Sequence, residues 1–289
     1  RVTAWQRHGG SCLTMALAMT GQGLWLLIGV VIVAGLAAGF LSGLLGIGGG
    51  GILVPVLYEA FGAAGVPEEV RMHVALGTTL AVIAPTVLRS LAAHHARGAV
   101  DVLVVIRIGP WVALGVVAGT LIAKDASSEA LRWVWIVFGT LLAGKMALGH
   151  DGWRIADRLP RPPFLEAVAF VIGTISTLMG IGGATFTVPL LTLHGKPLLQ
   201  SVATATGIGP IIAVPGLIGY VWSGWGAPGL PPYSMGYVSL SALLIMPLSV
   251  FAAPFGVRLA HGIEKRKLEL AFAAFISCVV ARFLWTLAH

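Results

Sequence analysis

Two stretches of the chain, GFLSGLLGIGGGGILVP at residues 39–55 and GTISTLMGIGGATFTVP at 173–189, concentrate glycine, small hydroxyl residues and a closing proline between apolar neighbours. Their side chains offer little for acid–base or nucleophilic work, so the chemistry must come from the backbone. A glycine run lets the chain turn tightly and lets another group approach the peptide plane. A helix that starts after such a run begins with amide N–H groups that have no intrahelical acceptor, and the positive end of its dipole adds to them, so it suits an anion. Gly48, Gly49, Gly50 and Gly51 in the first string, and Gly182, Gly183, Ala184 and Thr185 in the second, are therefore the candidate groups for holding the oxygens of a solute. Thr78 and Thr206, which hold matching places in VALGT (74–78) and VATAT (202–206), are expected as flanking donors. Pro55 and Pro189 are expected to stop or kink the helices that follow the strings.

Other chemistries find less support. Neither string is followed by the GK[ST] of a nucleotide-phosphate loop. Ser42 beside Gly43 has the look of a serine nucleophile, but an intramembrane hydrolase would need a histidine within hydrogen-bond reach, and the apolar runs place none near mid-depth. Cys12 and Cys278 are far apart and outside any ligand spacing, so no metal centre or disulfide framework is indicated. Glu59, Asp101 and Glu166 fall near the ends of apolar runs and give no buried carboxylate pair for a proton or sodium relay. His94 and His95 adjoin one loop and could titrate near neutrality, but adjacent imidazoles on a helix end point in different directions. The expectation is a protein that is not an enzyme and carries no cofactor and no metal.

The elements that must position the strings are set by composition. Of 289 residues, 57% are hydrophobic and only 10% charged, with a mean hydropathy of +0.93, against roughly 25% charged in a soluble domain. The net charge of +7 comes from basic residues scattered between apolar runs, the pattern of membrane-flanking charge and not of a nucleic-acid face. Crossing about 30 Å of hydrocarbon takes roughly 20 helical residues, and suitable runs lie near 24–45, 72–93, 101–123, 130–148, 164–180, 200–222, 236–258 and 268–287. The pieces 50–62 and 184–194, directly after the strings, are too short to cross. No run alternates as a membrane strand would. Trp25, Trp111, Trp133, Trp135, Trp222, Trp225 and Trp285 read as interfacial anchors.

The halves match without a gap from Gly39–Pro55 to Gly173–Pro189, and Gly98–Val100 corresponds to Gly236–Val238. The chain then divides into a loose or interfacial segment 1–23, a first repeat 24–149, a polar linker 150–163 and a second repeat 164–289. A signal-peptide reading of the first residues has less support, and the initial Arg suggests that the native start lies elsewhere. Basic residues cluster at 94–100, in the linker and near 262, which places those loops in the cytoplasm and 62–71, 124–132 and 223–235 outside. Threading the chain through them makes 24–62 and 164–195 re-entrant hairpins with the strings at their tips. Each repeat keeps three full crossings, and the odd number inverts the second repeat. The predicted fold is an all-α polytopic membrane protein of two inverted repeats, an architecture of secondary transporters.

The repeated glycine string closed by proline, with the following VALGT and VATAT and the glycine before each later helix, resembles the TauE/SafE family of membrane permeases over about residues 25–287. The resemblance implies movement of sulfur-containing anions such as sulfite, organosulfonates, sulfoacetate or thiosulfate across a bacterial inner membrane. The second string departs from the pattern, with Ala184 and Thr185 where the first has Gly50 and Gly51. The expected partners are a small anionic solute and the lipid bilayer, not nucleic acid, and a homo-oligomer is compatible with the sequence. An alternating-access carrier is the leading expectation, with an anion channel as the alternative.

Overall fold

A computed structural model describes residues 50–148, 158–244 and 265–288, together with Leu36, Phe40, Ala156, Pro247, Leu248, Phe251, Ala252 and Phe255. Segment 1–23, nearly all of the span expected at 24–45, Gly48 and Gly49, half of the linker and part of the second half of the expected span 236–258 lie outside the described residues.

Eight α-helices are described: α1 (Gly50–Ala63), α2 (Glu68–Ala96), α3 (Val102–Asp125), α4 (Ser128–Leu148), α5 (Phe164–Leu178), α6 (Ala184–Leu193), α7 (Leu198–Ser223) and α8 (Lys265–Ala288). Five stretches among them are long and apolar enough to cross a membrane: α2, α3, α4, α7 and Leu270–Leu287 within α8. They coincide with five of the runs read from the sequence. α1, α5 and α6 are the shorter apolar helices.

One expected span starts wrongly. The run at 236–258 was to be helical from its first residue, but β1 (Ser234–Met235) pairs antiparallel with β2 (Val238–Ser239), and a 3-10 turn follows at Ala242–Leu244. Gly236 turns the hairpin with φ 57°. A side chain there would collide with the Val221 carbonyl, so the backbone sits flush on the end of α7. Apolar length carried the expectation, and a close backbone approach overrode it.

Local sequence sets the helix boundaries. α2 and α7 each start directly after a proline, Pro67 and Pro197, with φ of −53° and −55°. Two residues earlier, Gly65 (φ 78°) and Gly195 (φ 80°) close the ends of α1 and α6 in the left-handed conformation that glycine accepts without strain. α3 is capped by Asp101, whose side chain accepts from the Val104 amide at 3.2 Å.

The helices pack through small residues. α2 lies along α7, α3 runs between α5 and α7, α4 pairs with α8, α1 rests on α2 and α6 on α7. In the α3–α5 seam, a Cβ added to Gly115 would strike the Phe170 carbonyl and one added to Gly173 would strike the Val112 carbonyl. Thr174 Oγ1 donates to the Gly115 carbonyl at 3.0 Å across the same seam. Membrane helices gain little from hydrophobic exclusion against one another, and such close approaches provide their van der Waals contact. Two further bonds tie elements reciprocally. The Asp101 amide, leading into α3, donates to Thr204 Oγ1 on α7 at 3.0 Å. The Ser239 amide, after α7, donates to Thr78 Oγ1 on α2 at 3.0 Å.

Candidate functional site

The second glycine string forms a break between α5 and α6. α5 ends at Leu178, the chain turns at Gly180 (φ 65°) and Gly183 (φ 78°), and α6 begins at Ala184. Both turns need glycine, because L side chains are rarely accommodated at these angles. The break is enclosed on several sides. A Cβ on Gly180 would lie 2.9 Å from Leu76 Cδ2 on α2 and 3.1 Å from Val54 Cγ2 on α1. Gly182 faces Ile83 and Val87 of α2, and Gly183 abuts Ile212 of α7.

The first string reaches the same place. Gly50, the opening residue of α1, sits so close that an added Cβ would be 2.6 Å from the Gly180 carbonyl oxygen and 2.9 Å from Ile181 Cα. Residues 130 positions apart in the first and second strings are thus brought to within backbone contact at the described start of α1. Gly51, also buried, faces Phe272 of α8.

Several polar groups of the break lack a partner among the described residues, the carbonyls of Leu178, Gly180, Ile181 and Gly182 included. Other carbonyls at the end of α5 are served: Ile175 accepts from the Met179 amide, Ser176 from Ile181, and Thr177 from Gly180 and from the Tyr220 hydroxyl at 3.2 Å. The Met179 carbonyl accepts from Trp135 Nε1 at 3.0 Å. On the other side, the amides of Gly182, Gly183, Ala184 and Thr185 meet no acceptor among the described residues. Three buried hydroxyls on the helix ends that flank the break, Ser176 Oγ, Thr185 Oγ1 and Thr187 Oγ1, are also without a partner among the described residues. Ser176 and Thr187 are fully buried and Thr185 is 5% exposed. Buried polar groups are nearly always satisfied, so this collection of unmet donors is chemically suited to an acceptor. No side chain from Ser176 to Thr187 is ionisable, so the attraction would come from N–H and O–H dipoles.

Space adjoins the break. A cavity of about 520 Å³ opens between α4, α5 and α6, reaching Thr185 and Phe186 past Phe138, Leu142 and Ile175.

The remaining predicted residues separate. Thr78 is fully buried, but its hydroxyl accepts from the Ser239 amide. Thr206 donates to the Ala203 carbonyl of its own helix at 2.6 Å. Neither shows a bond to the break. Pro55 and Pro189 do not stop their helices: each lies inside one, in α1 and α6. The proline φ is helical, so the helix continues, and the missing N–H leaves the carbonyls of Gly51 and Thr185 without the usual i+4 donor.

Three residues were missed or misread. Trp135, expected at the interface, is fully buried on the break, whereas Trp111, Trp133, Trp222, Trp225 and Trp285 are exposed. Arg132, 4% exposed, and His73, 3% exposed, are buried polar groups near helix ends. A position three or more residues inside an apolar run was the only signal for Trp135 and Arg132.

The profile of the family described as sulfite exporter TauE/SafE matches residues 31–283. A "Probable membrane transporter protein" of Haemophilus influenzae is 32% identical over 249 residues, 86% of this chain and 94% of that protein. Another so named, from Methanocaldococcus jannaschii, is 28% identical over 254 residues, 87% of this chain and 93% of its own length. One from Bacillus subtilis is 29% identical over 219 residues, 68% of this chain and 78% of that protein. No solved structure matches. With membrane-length helices through both halves of the chain and a family match across most of it, this is a multi-pass membrane protein that belongs to the TauE/SafE family of membrane transporters.

Proposed function

We propose that the protein is a secondary transporter of small sulfur-containing oxyanions, sulfite or organosulfonates, sulfoacetate or thiosulfate, held at the glycine break and moved by alternating access. The observation that carries this reading is the cluster of unmet donors in the break: four amides and three buried hydroxyls have no acceptor among the described residues. A tetrahedral, weakly basic anion is well matched to several neutral donors. On this reading Gly182, Gly183, Ala184 and Thr185 hold the solute, with Ser176 and Thr187 adding hydroxyls. Gly48–Gly51 complete the site from the first string, and Thr78 and Thr206 act behind it on the helices that frame it.

The movement follows from two inverted repeats. Support comes from the paired joints Gly65–Pro67 and Gly195–Pro197, with the same glycine conformation and the same start to the next helix. The reciprocal bonds of Asp101 to Thr204 and Ser239 to Thr78 point the same way, since Asp101 and Ser239 correspond in the two halves. With the strings as re-entrant tips meeting at Gly50 and Gly180, rocking of one half on the other would open the break to each side in turn. The sulfur chemistry of the solute rests on the family description, and a bacterial inner membrane is the setting it suggests.

The test uses variants that remove acceptor-seeking hydroxyls without removing any protein contact. Thr185→Val and Ser176→Ala should lower uptake of radiolabelled sulfite, thiosulfate or a sulfonate into proteoliposomes by about tenfold, because hydrogen bonds to a charged group contribute roughly 1.5–3 kcal/mol each. The thermal midpoint without solute should hold or rise, since an unpartnered buried hydroxyl stabilises nothing. Unchanged uptake in both variants would remove the site from the break. Exchange of internal for external anion distinguishes a carrier from a channel.

A further inference from the structure

A second polar cluster lies where α1 and α3 finish and α2 and α4 start, one turn of α4 from Trp135. Arg132, in the second turn of α4, is 4% exposed. Its Nη2 donates to Glu68 Oε1 at 2.7 Å, while Nε and Nη1 are buried with no partner. Arg71 stands beside it: the Arg71 and Arg132 guanidinium carbons lie 5.4 Å and 6.0 Å from the centre of the same Tyr58 ring. Arg71 donates through Nε and Nη2 to the Val66 carbonyl, at 3.2 Å and 2.9 Å. Two guanidiniums therefore flank one ring in this corner, and the carboxylate that pairs with Arg132 is Glu68, whose side chain is 52% exposed. The neighbouring Glu59 gives no compensation, because it is already paired with Arg282 at 2.9 Å.

The arrangement is poorly explained as a structural ion pair. A buried guanidinium is costly unless its remaining donors are satisfied, and here two of its three nitrogens are not. It also sits near the amino-terminal ends of α4 and α2, where the helix dipoles oppose a cation and favour an anion. Glu68 approaches from the solvent side and occupies a single edge of the fork. A carboxylate in that position is the protein's own stand-in for an external oxyanion, and it can swing away into water at little cost.

From this geometry we propose that Arg132, with Arg71 and the Tyr58 ring wall, is an oxyanion-capture site separate from the glycine break. Glu68 is its built-in competitor, released when a solute with two or more oxygens takes the Arg132 fork. Arginine suits this role because its planar fork matches a tetrahedral or carboxylate oxyanion bidentately, which a lysine ammonium does not. The ligand class is a small oxyanion of sulfate, sulfonate or carboxylate type. On the orientation proposed above, the site faces outward and would take up or release solute on that side.

The experiment uses the full chain purified in detergent, carrying Thr185→Val and Ser176→Ala so that the break does not respond. Thermal midpoints are followed against sodium sulfate at constant ionic strength, with chloride as the balancing anion. Adding Glu68→Gln should lower the midpoint in chloride, because Arg132 loses its one hydrogen-bond partner among the described residues, and sulfate should restore it with an apparent affinity about tenfold tighter than in the background protein. Arg132→Gln should abolish the sulfate response. Should that variant not fold, Arg132→Lys, which keeps the charge and loses the fork, should weaken the response about tenfold. A Glu68→Gln protein indifferent to sulfate, or an Arg132→Lys protein with the background response, would overturn the proposal. Either result would leave the glycine break as proposed, since that site is tested by uptake in the single variants.

Discussion

Trp135 donates its indole N–H to the Met179 carbonyl across the gap between α4 and the end of α5, and its ring meets Phe283 of α8 edge-on with centroids 6.0 Å apart. Trp135→Phe would keep most of the packing and leave a buried carbonyl unsatisfied, a loss of about 1–3 kcal/mol, visible as a lower thermal midpoint in detergent; an unchanged midpoint would mean that the bond does not hold the break. A second residue-scale prediction concerns Asp101. The Lys196 ammonium donating to it at 2.8 Å, and then the Val104 and Leu103 amides, hold its carboxyl below the ordinary carboxylate range against an opposing effect of burial. A carboxyl whose folded pKa is depressed contributes stability that is full above its unfolded pKa, near 4, and is lost as pH falls through the lower folded value. Midpoints measured from pH 6 down to pH 3 should therefore decline less steeply in Asp101→Asn than in the parent, and parallel curves would deny Asp101 that role. At this scale the glycine and hydroxyl types of the break were legible because only such residues permit its backbone. Trp135 was not, because an indole at the end of an apolar run looks the same whether it meets lipid headgroups or a neighbouring carbonyl.

Between elements, the α3–α5 seam is governed by Gly115 and Gly173, whose missing side chains let each helix rest on the other's carbonyls. Gly115→Val should separate the helices, lower the midpoint by an amount corresponding to about 1–3 kcal/mol and reduce uptake with it, since α5 carries Ser176 to the break. Full stability would show that the seam yields freely. Five spanning helices were legible from run length and hydropathy alone, because a segment that must satisfy its own backbone in hydrocarbon has few alternatives to a helix. One element-scale expectation went astray. The hairpin at 234–239 replaced the start of a helix because Gly236 allows contact with α7. Composition described what the segment tends to do alone, and packing decided otherwise.

For the molecule as a whole, orientation is the open prediction. Trp225, exposed beyond the end of α7, lies in the loop expected outside; Trp225→Cys in a background with Cys12→Ser and Cys278→Ser should react with an impermeant maleimide on intact cells. Reaction only after lysis would turn the molecule over, and with it the side assigned to Arg132. The sequence by itself determined the membrane setting, the family and the doubling of the glycine string, since each is written in composition or in linear pattern. Only the tertiary structure decided that Gly50 meets Gly180, that the hydroxyls of Ser176, Thr185 and Thr187 are buried without a partner, and that Arg132 is buried with two nitrogens unmet among the described residues. The physical reason is that satisfaction of a buried polar group depends on what other segments bring within about 3 Å of it, and no linear pattern records that distance.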